Sequence, residues 1–272
     1  MYWHMLTIDM NNALDDIAFL ANSENRVQIF ELIVEAPRNR TEIDDQVDAS
    51  RVTIARILNE LDARDWITQS GQECAVTPLG AWVYDEFTGL VDEIEAGHRL
   101  RDAIQLIPTD LLTFDVRCLR DAEIIPLEES DPTAVTRRIV EFHRSGDRIR
   151  GVARVAAPVF IKNQWELTVH GDTRLALVIT PGALDVIRDH SPTVRRFRDM
   201  LEEESASWFL YEEIPISVGI VNGRVGINLT DEEGVLKGGL VTDDESVHAW
   251  AVDLFEDCRD KARPVDPDEI AV

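Results

Sequence analysis

Four residues near the start of one short helical run carry groups suited to recognition chemistry: Ser50, Arg51, Thr53 and Arg56. A guanidinium donates two parallel bonds to guanine O6 and N7, and a hydroxyl serves several bases or a phosphate. In the run RVTIARILNELDARD these four fall on the face opposite Ile54, Leu58 and Leu61. Arg38 and Arg40, just upstream, suit phosphate oxygens, while Gln69, Ser70 and Gln72 downstream are polar enough to touch a backbone or a minor groove. Asn59 is a further outward candidate. Each of these also reads as an ordinary solvated side chain, and spacing alone leaves both readings open.

Catalytic patterns are missing by residue type. The sequence has no Gly-x-Ser-x-Gly elbow, no phosphate loop ending in Gly-Lys-Ser/Thr, no His-Glu-x-x-His helix and no Gly-x-Gly-x-x-Gly turn. Cys74, Cys118 and Cys258 lie too far apart for a disulfide framework or a thiolate zinc site, so neither a metal nor a cofactor is expected. His98, His143 and His190 read as surface groups rather than ligands. No enzymatic activity is therefore expected, although an enzyme with an attached binding module stays a third possibility behind the two weighed below.

The elements that must position the candidate residues follow from periodicity. A helix ends before Pro37, with Val27, Phe30 and Val34 at helical spacing and Ser23 as a plausible cap. A short helix RTEIDDQVD follows, with Thr41 as its expected cap. Ser50 then caps the run that carries the candidates. ITQ and CAVT read as two short strands around the turn-forming Gly71, and Pro78 starts another helix. Residues 78–107 repeat apolar positions from Leu79 to Ile107, with Gly97 as a possible interruption. Such a helix pairs with its twin in a homodimer or packs on its own second domain.

The chain has 272 residues and a formal net charge of -25, with only Lys162, Lys237 and Lys261 among its 27 cations. At 44% hydrophobic it still has material for a core, so disorder is excluded. Acidity this strong costs self-repulsion, and multimolar salt removes that cost by screening charge beyond about 3 Å. Because the acid is spread along the whole chain, a haloarchaeal, salt-adapted protein is expected. No window approaches about 18 uncharged apolar residues, so no membrane partner is expected. The opening MYWHMLTIDMNNALDD lacks a basic stretch followed by an apolar one, which points to the cytoplasm. Charge on the whole chain argues against nucleic acid, yet from Arg38 to Arg64 five arginines face six acids, against one arginine and six acids in residues 1–37.

The order helix, helix, turn, helix, hairpin carries a resemblance. The run SRVTIARILNELDARDWITQSG is similar to the recognition helix and wing of archaeal and bacterial winged-helix transcription regulators, over roughly residues 14–88. That resemblance implies double-stranded DNA as partner, with the third helix in the major groove. An adaptor that keeps the winged helix but contacts transcription machinery is the alternative.

Beyond Pro108, strand and helix patterns alternate. AEIIPL, RIRGVARVA, TRLALVIT and ASWFLY read as strands, and DPTAVTRRIVEFHRSG, PVFIKNQWELTVHG, PGALDVIRDH and TVRRFRDMLEEE as helices. ISVGIV and RVGINL flank an Asn222-Gly223 turn, LKGGLVT follows, and DDESVHAWAVDLFEDCRDKAR closes the domain. A mixed α/β sheet with an antiparallel edge is expected. The segment VGIVNGRVGINLTDEEGVLKGGLVTDDESVHAWAVDLFEDCRDKAR resembles the effector-sensing domain of a haloarchaeal and methanogen regulator family related to the methanogenesis regulatory protein. Related sugar-sensing regulators use a domain similar to the phospholipase D fold. No His-x-Lys-x4-Asp element occurs here: Ser145, Asp172 and Pro192 follow His143, His170 and His190 at the second position.

A mixed α/β protein is thus expected, in four parts. These are a winged helix-turn-helix domain over 11–77, a connecting helix over 78–108, an α/β effector-sensing domain over 109–264 and an acidic tail over 265–272. Strand ends and adjoining helix starts usually hold ligands in such sheets. That points to Arg154 for an anionic group and to Phe160, Trp165 and Tyr211 as apolar walls for a small-molecule effector, or else to ordinary core aromatics.

Overall fold

The computed structural model describes residues 2–127, 131, 133–231 and 235–270, with side chains from 12 onward. It divides into two compact units, Met1–Glu95 and Ala96–Val272.

The first unit holds helices α1 (Tyr2–Ala21), α2 (Glu24–Glu35), α3 (Arg40–Gln46) and α4 (Arg51–Asp62), and most of α5 (Pro78–Ile104). Strand β1 (Arg38–Asn39) pairs antiparallel with β3 (Glu73–Val76), which pairs with β2 (Ile67–Ser70). Ser23 takes the N-cap position of α2. The cap of α3 is Asn39 rather than the expected Thr41: its Oδ1 accepts from the Thr41 and Glu42 amides at 2.9 and 3.0 Å, and Glu42 accepts from the Asn39 amide at 2.7 Å. Ser50 caps α4 by accepting from the Thr53 amide at 3.2 Å. Ile54, Ile57, Leu58 and Leu61 are buried against Ile29, Phe30 and Ile33 of α2. Gly97 does not interrupt α5.

The second unit is built on an eight-stranded sheet. In chain order its strands are β4 (Glu123–Pro126), β5 (Arg148–Ala153), β6 (Arg174–Ile179), β7 (Ala206–Leu210), β8 (Ser217–Val221), β9 (Arg224–Thr230), β10 (Leu236–Thr242) and β11 (Arg263–Pro264). Their order across the sheet is β11-β7-β6-β5-β8-β9-β10-β4. Only β5, β6 and β7 run parallel; β8 joins β5 antiparallel and leads into the meander. The antiparallel part is therefore far more than the expected edge. The first strand, β4, closes the far side against β10.

Alternation along each strand divides the core in two. Ile149, Leu175 and Trp208 pack with α6 (Ala134–His143), α7 (Pro158–Val169), α8 (Pro181–Arg188) and α9 (Ser191–Leu201). Val152, Val178, Val225 and Ile227 pack with α10 (Glu245–Lys261) and the segment around Leu100 to Leu119. Pro132, expected at the start of α6, lies outside the described residues. Gly226 has a specific reason: a Cβ there would lie 2.8 Å from the Phe142 ring, so its absence lets α6 settle onto β9.

The stretch after α10 is not a free acidic tail. Arg263 and Pro264 pair with β7, and Val265 and Ile270 are buried in the core. Its last described carbonyls accept from arginines of neighbouring helices, Arg188 to Glu269 at 2.8 Å and Arg198 to Ile270 at 2.6 Å. Two apolar side chains among the acids of this stretch make it part of the core. Ile270→Ala should destabilise the second unit by about 2–5 kcal/mol, the usual cost of truncating a fully buried isoleucine. Guanidinium unfolding measures this, and an unchanged midpoint would mean the stretch is not part of the fold.

Candidate nucleic-acid interface

Burial of Ile54, Leu58 and Leu61 turns the opposite face of α4 outward. Ser50, Arg51, Val52, Arg56 and Asn59 are exposed there, and Thr53 is half-buried. Val52 stands out at 80% exposure. It was absent from the expected set because that set was chosen for polar chemistry. An apolar residue two positions past the cap, followed by 56 and 59 at helical spacing, was the available signal. A valine on such a face suits the thymine methyl group, which is read by apolar contact.

Most of the expected residues have a local partner. The Ser50 and Thr53 hydroxyls lie 2.9 Å apart and serve the cap. Arg51 donates to Asp44 of α3 at 2.9 Å while keeping 87% of its side chain exposed. Arg56 pairs with Glu60 one turn on, at 3.1 Å. Arg40 donates to the Gln69 side chain at 2.8 Å, and Gln69 donates to Asn59 at 3.3 Å. That chain of bonds ties α3, the wing strand and α4 together, so Gln69 belongs to the scaffold of the face. Arg38 points elsewhere: it donates to the Leu32 carbonyl at 3.2 Å and pairs with Glu35, both in α2. Ser70 and Gln72 are exposed around Gly71, whose φ of +66° makes the tight wing turn. Arg51, Arg56, Arg40 and the wing tip are thus left accessible, with Val52 and Asn59 beside them.

Two more arginines are structural. Arg26 and Arg64 place their guanidinium groups 4.3 and 3.9 Å from the Phe19 ring centroid. Arg64 also pairs with Asp16 at 2.9 Å. Such contacts fasten α1 to α2 and to the end of α4.

In the second unit the four expected effector residues do not converge. Phe160 lines a cavity between the sheet and helices α6 and α7. Arg154 lends it only a neighbouring main chain, its amide donating to Ser217 and its carbonyl accepting from Thr180, both at 2.9 Å. Trp165 lies on the α9 side of α7, donating to Asp199 at 2.9 Å. Tyr211 packs in the α10 half of the core with its hydroxyl 3.3 Å from Glu213. The polar residues that line the cavity are instead His143, Gln164, Ser217 and Asn228. His143, expected at the surface, packs between Phe142 and Phe160 with Nδ1 3.0 Å from the Gln164 amide nitrogen. Burial holds its pKa down to about 4, so the ring is neutral. Among the described residues no group of His, Cys, Asp and Glu is placed to hold a metal, and no helix is long and apolar enough to cross a membrane.

A capped recognition helix with a wing, joined in one chain to an α/β unit, defines the class of two-domain transcriptional regulators. Residues 14–99 match the model of the HVO_A0261 N-terminal domain, and residues 132–261 match that of the middle domain of FilR1, the methanogenesis regulatory protein. The chain belongs to this family of regulators. No curated protein matches it in sequence. Among solved structures it is similar to TrmBL2, an archaeal chromatin protein, at 13% identity and a TM-score of 0.41, covering 92% of this chain and 99% of that one. It is also similar to Nuc, a phospholipase D family member from Salmonella typhimurium, at 12% identity and a TM-score of 0.40, covering 53% of this chain and 97% of that one.

The His143 pKa sits below its ordinary 6.5, so the unfolded chain binds this proton more readily than the folded one. The stability held by the neutral ring is full above about pH 6.5 and is lost as the pH falls towards about 4. Guanidinium denaturation at pH 7 and pH 5 should show a smaller loss for His143→Gln than for the native chain. Equal losses would place the ring in water.

Proposed function

We propose that the chain is a sequence-specific DNA-binding transcriptional regulator that works as a homodimer, in the cytoplasm of a salt-adapted archaeon. The observation that carries the reading is the exposed face of α4, where two arginines, a valine and an asparagine stand on a helix whose other side is fully buried. Lying in a major groove, Arg51 and Arg56 would take guanine edges, Val52 a thymine methyl and Asn59 an adenine edge. Arg40 and the wing tip at Ser70 and Gln72 would meet the backbone.

A homodimer is supported by the apolar surface of α1 and α5. Leu14, Ile17, Leu79, Trp82, Leu90 and Ile94 are all exposed, with Trp82 at 62%. A groove lined by Ile17, Leu20, Trp82, Phe87 and Leu90 runs between the two helices. Exposed apolar surface of this extent marks an interaction site, and a second copy would supply the second recognition helix of a pseudo-palindromic operator. The α/β unit would bind a small effector that prefers one dimer arrangement, and so shift operator affinity.

Operator binding is the test, on target sites found by chromatin immunoprecipitation. Arg51→Ala and Arg56→Ala should each weaken binding about tenfold or more, corresponding to roughly 1–3 kcal/mol for a base-reading arginine. A native chain that binds no operator, with a double variant that keeps its protein partner, would favour the adaptor reading. Since Arg51 and Arg56 are assigned to base edges, Arg40 is the one arginine of this set left for phosphate, so few counterions are displaced from the DNA on binding. The dependence of log affinity on log salt should therefore be shallow; a steep one would contradict a regulator built for high salt.

A further inference from the structure

The cavity in the second unit has a volume of about 70 Å³ and a wall that is mainly apolar. Its floor is the sheet around Gly219 and Gly226, which face each other across β8 and β9. Phe142 and His143 of α6 fill the space those missing side chains leave, with His143 Nε2 only 3.3 Å from where a Gly219 Cβ would stand. Two residues of the lining each bury a side-chain atom that has no hydrogen-bond partner among the described residues: Gln164 at Oε1 and Trp208 at Nε1. Both residues are more than nine-tenths buried, at 2% and 4% exposure. An acceptor or donor buried unpaired is destabilising, so two of them on residues around one cavity call for an occupant.

The chemistry of that occupant can be read from the wall. Gln164 donates its amide N–H to His143 Nδ1, which leaves Oε1 as an acceptor and sets the His143 proton on Nε2. Trp208 offers an indole N–H and nothing else. No Asp, Glu, Lys or Arg lines the cavity, and an unpaired charge there would be strongly disfavoured. A single water needs about 10–15 Å³ and two to four polar partners, so the space exceeds one water and its apolar stretches give a water cluster little to bond.

We propose that this cavity is a binding site for a small uncharged molecule that both donates and accepts a hydrogen bond, an amide or alcohol of a handful of heavy atoms. Its donor would meet Gln164 Oε1, its acceptor the Trp208 indole N–H, and its short apolar chain the Phe142 and Phe160 side. Binding itself stands on the cavity alone; only its consequence for operator affinity rests on the reading of this unit as the sensor.

The test uses the full-length 15N-labelled protein and butyramide, with butyrate as the charged counterpart of the same shape. The indole N–H signal of Trp208 is assigned by its loss in Trp208→Phe. Butyramide should shift that signal saturably, butyrate should bind at least tenfold more weakly, and Gln164→Met should weaken butyramide at least tenfold. The proposal is overturned if butyramide gives no saturable shift at Trp208, if butyrate binds equally well, or if folded Gln164→Met binds like the native chain. Should that variant not fold, the comparison of butyramide with butyrate on the native chain decides. A saturable shift that leaves operator affinity unchanged supports the site and removes its sensing role, which separates this proposal from the regulatory one.

Discussion

The open face of α4 depends on the packing of Trp66. This residue ends the link from α4 to the wing and is 2% exposed. Its ring stacks on Phe30 at 5.6 Å and meets Phe19 edge-on at 5.9 Å. Each aromatic pair contributes about 0.5–1.5 kcal/mol beyond the area it buries. The carbonyl of Trp66 accepts from the Thr77 amide at 2.9 Å, which brings the end of the wing and the start of α5 to the same point. Four helices and the hairpin thereby share one anchor. The direction of α4 is set by a side chain buried on the opposite side from its open face.

Around that anchor the arginines divide by task. Arg26 and Arg64 enclose the Phe19 ring, and Arg38 serves the end of α2. Arg51 and Arg56 remain on the open face, each beside a carboxylate it can leave. Exposed ion pairs of this kind contribute roughly 0–1 kcal/mol, so exchanging either carboxylate for another partner costs little. The window from Arg38 to Arg64 is near-neutral, yet only some of its arginines stand on the open face.

In the second unit the comparable constraint is the close approach of α6 to a sheet stripped of side chains at Gly219 and Gly226. That approach buries Phe142, brings His143 against Gln164 and leaves a cavity beside them. The strand after α10 and the two apolar residues that follow complete the other edge. Two of the buried polar atoms without a partner, Gln164 Oε1 and Trp208 Nε1, belong to residues that line it.

By itself the sequence determined the local elements and which face of α4 is open. Helical spacing of Ile54, Leu58 and Leu61, a serine cap and an Asn-Gly turn are short-range signals that need no tertiary information. Most strands of the second unit were legible for the same reason, as was membership of a regulator family. Tertiary structure decided what depends on contacts between distant residues. It placed β4 beside β10 and made the last residues part of the core. It withdrew Arg38 to α2, added Val52 to the open face and gathered His143, Gln164 and Trp208 around one cavity while sending Trp165 and Tyr211 elsewhere. Side chains separated by many residues meet only through strand order and the helix packing that follows from it, and a one-dimensional periodicity carries neither.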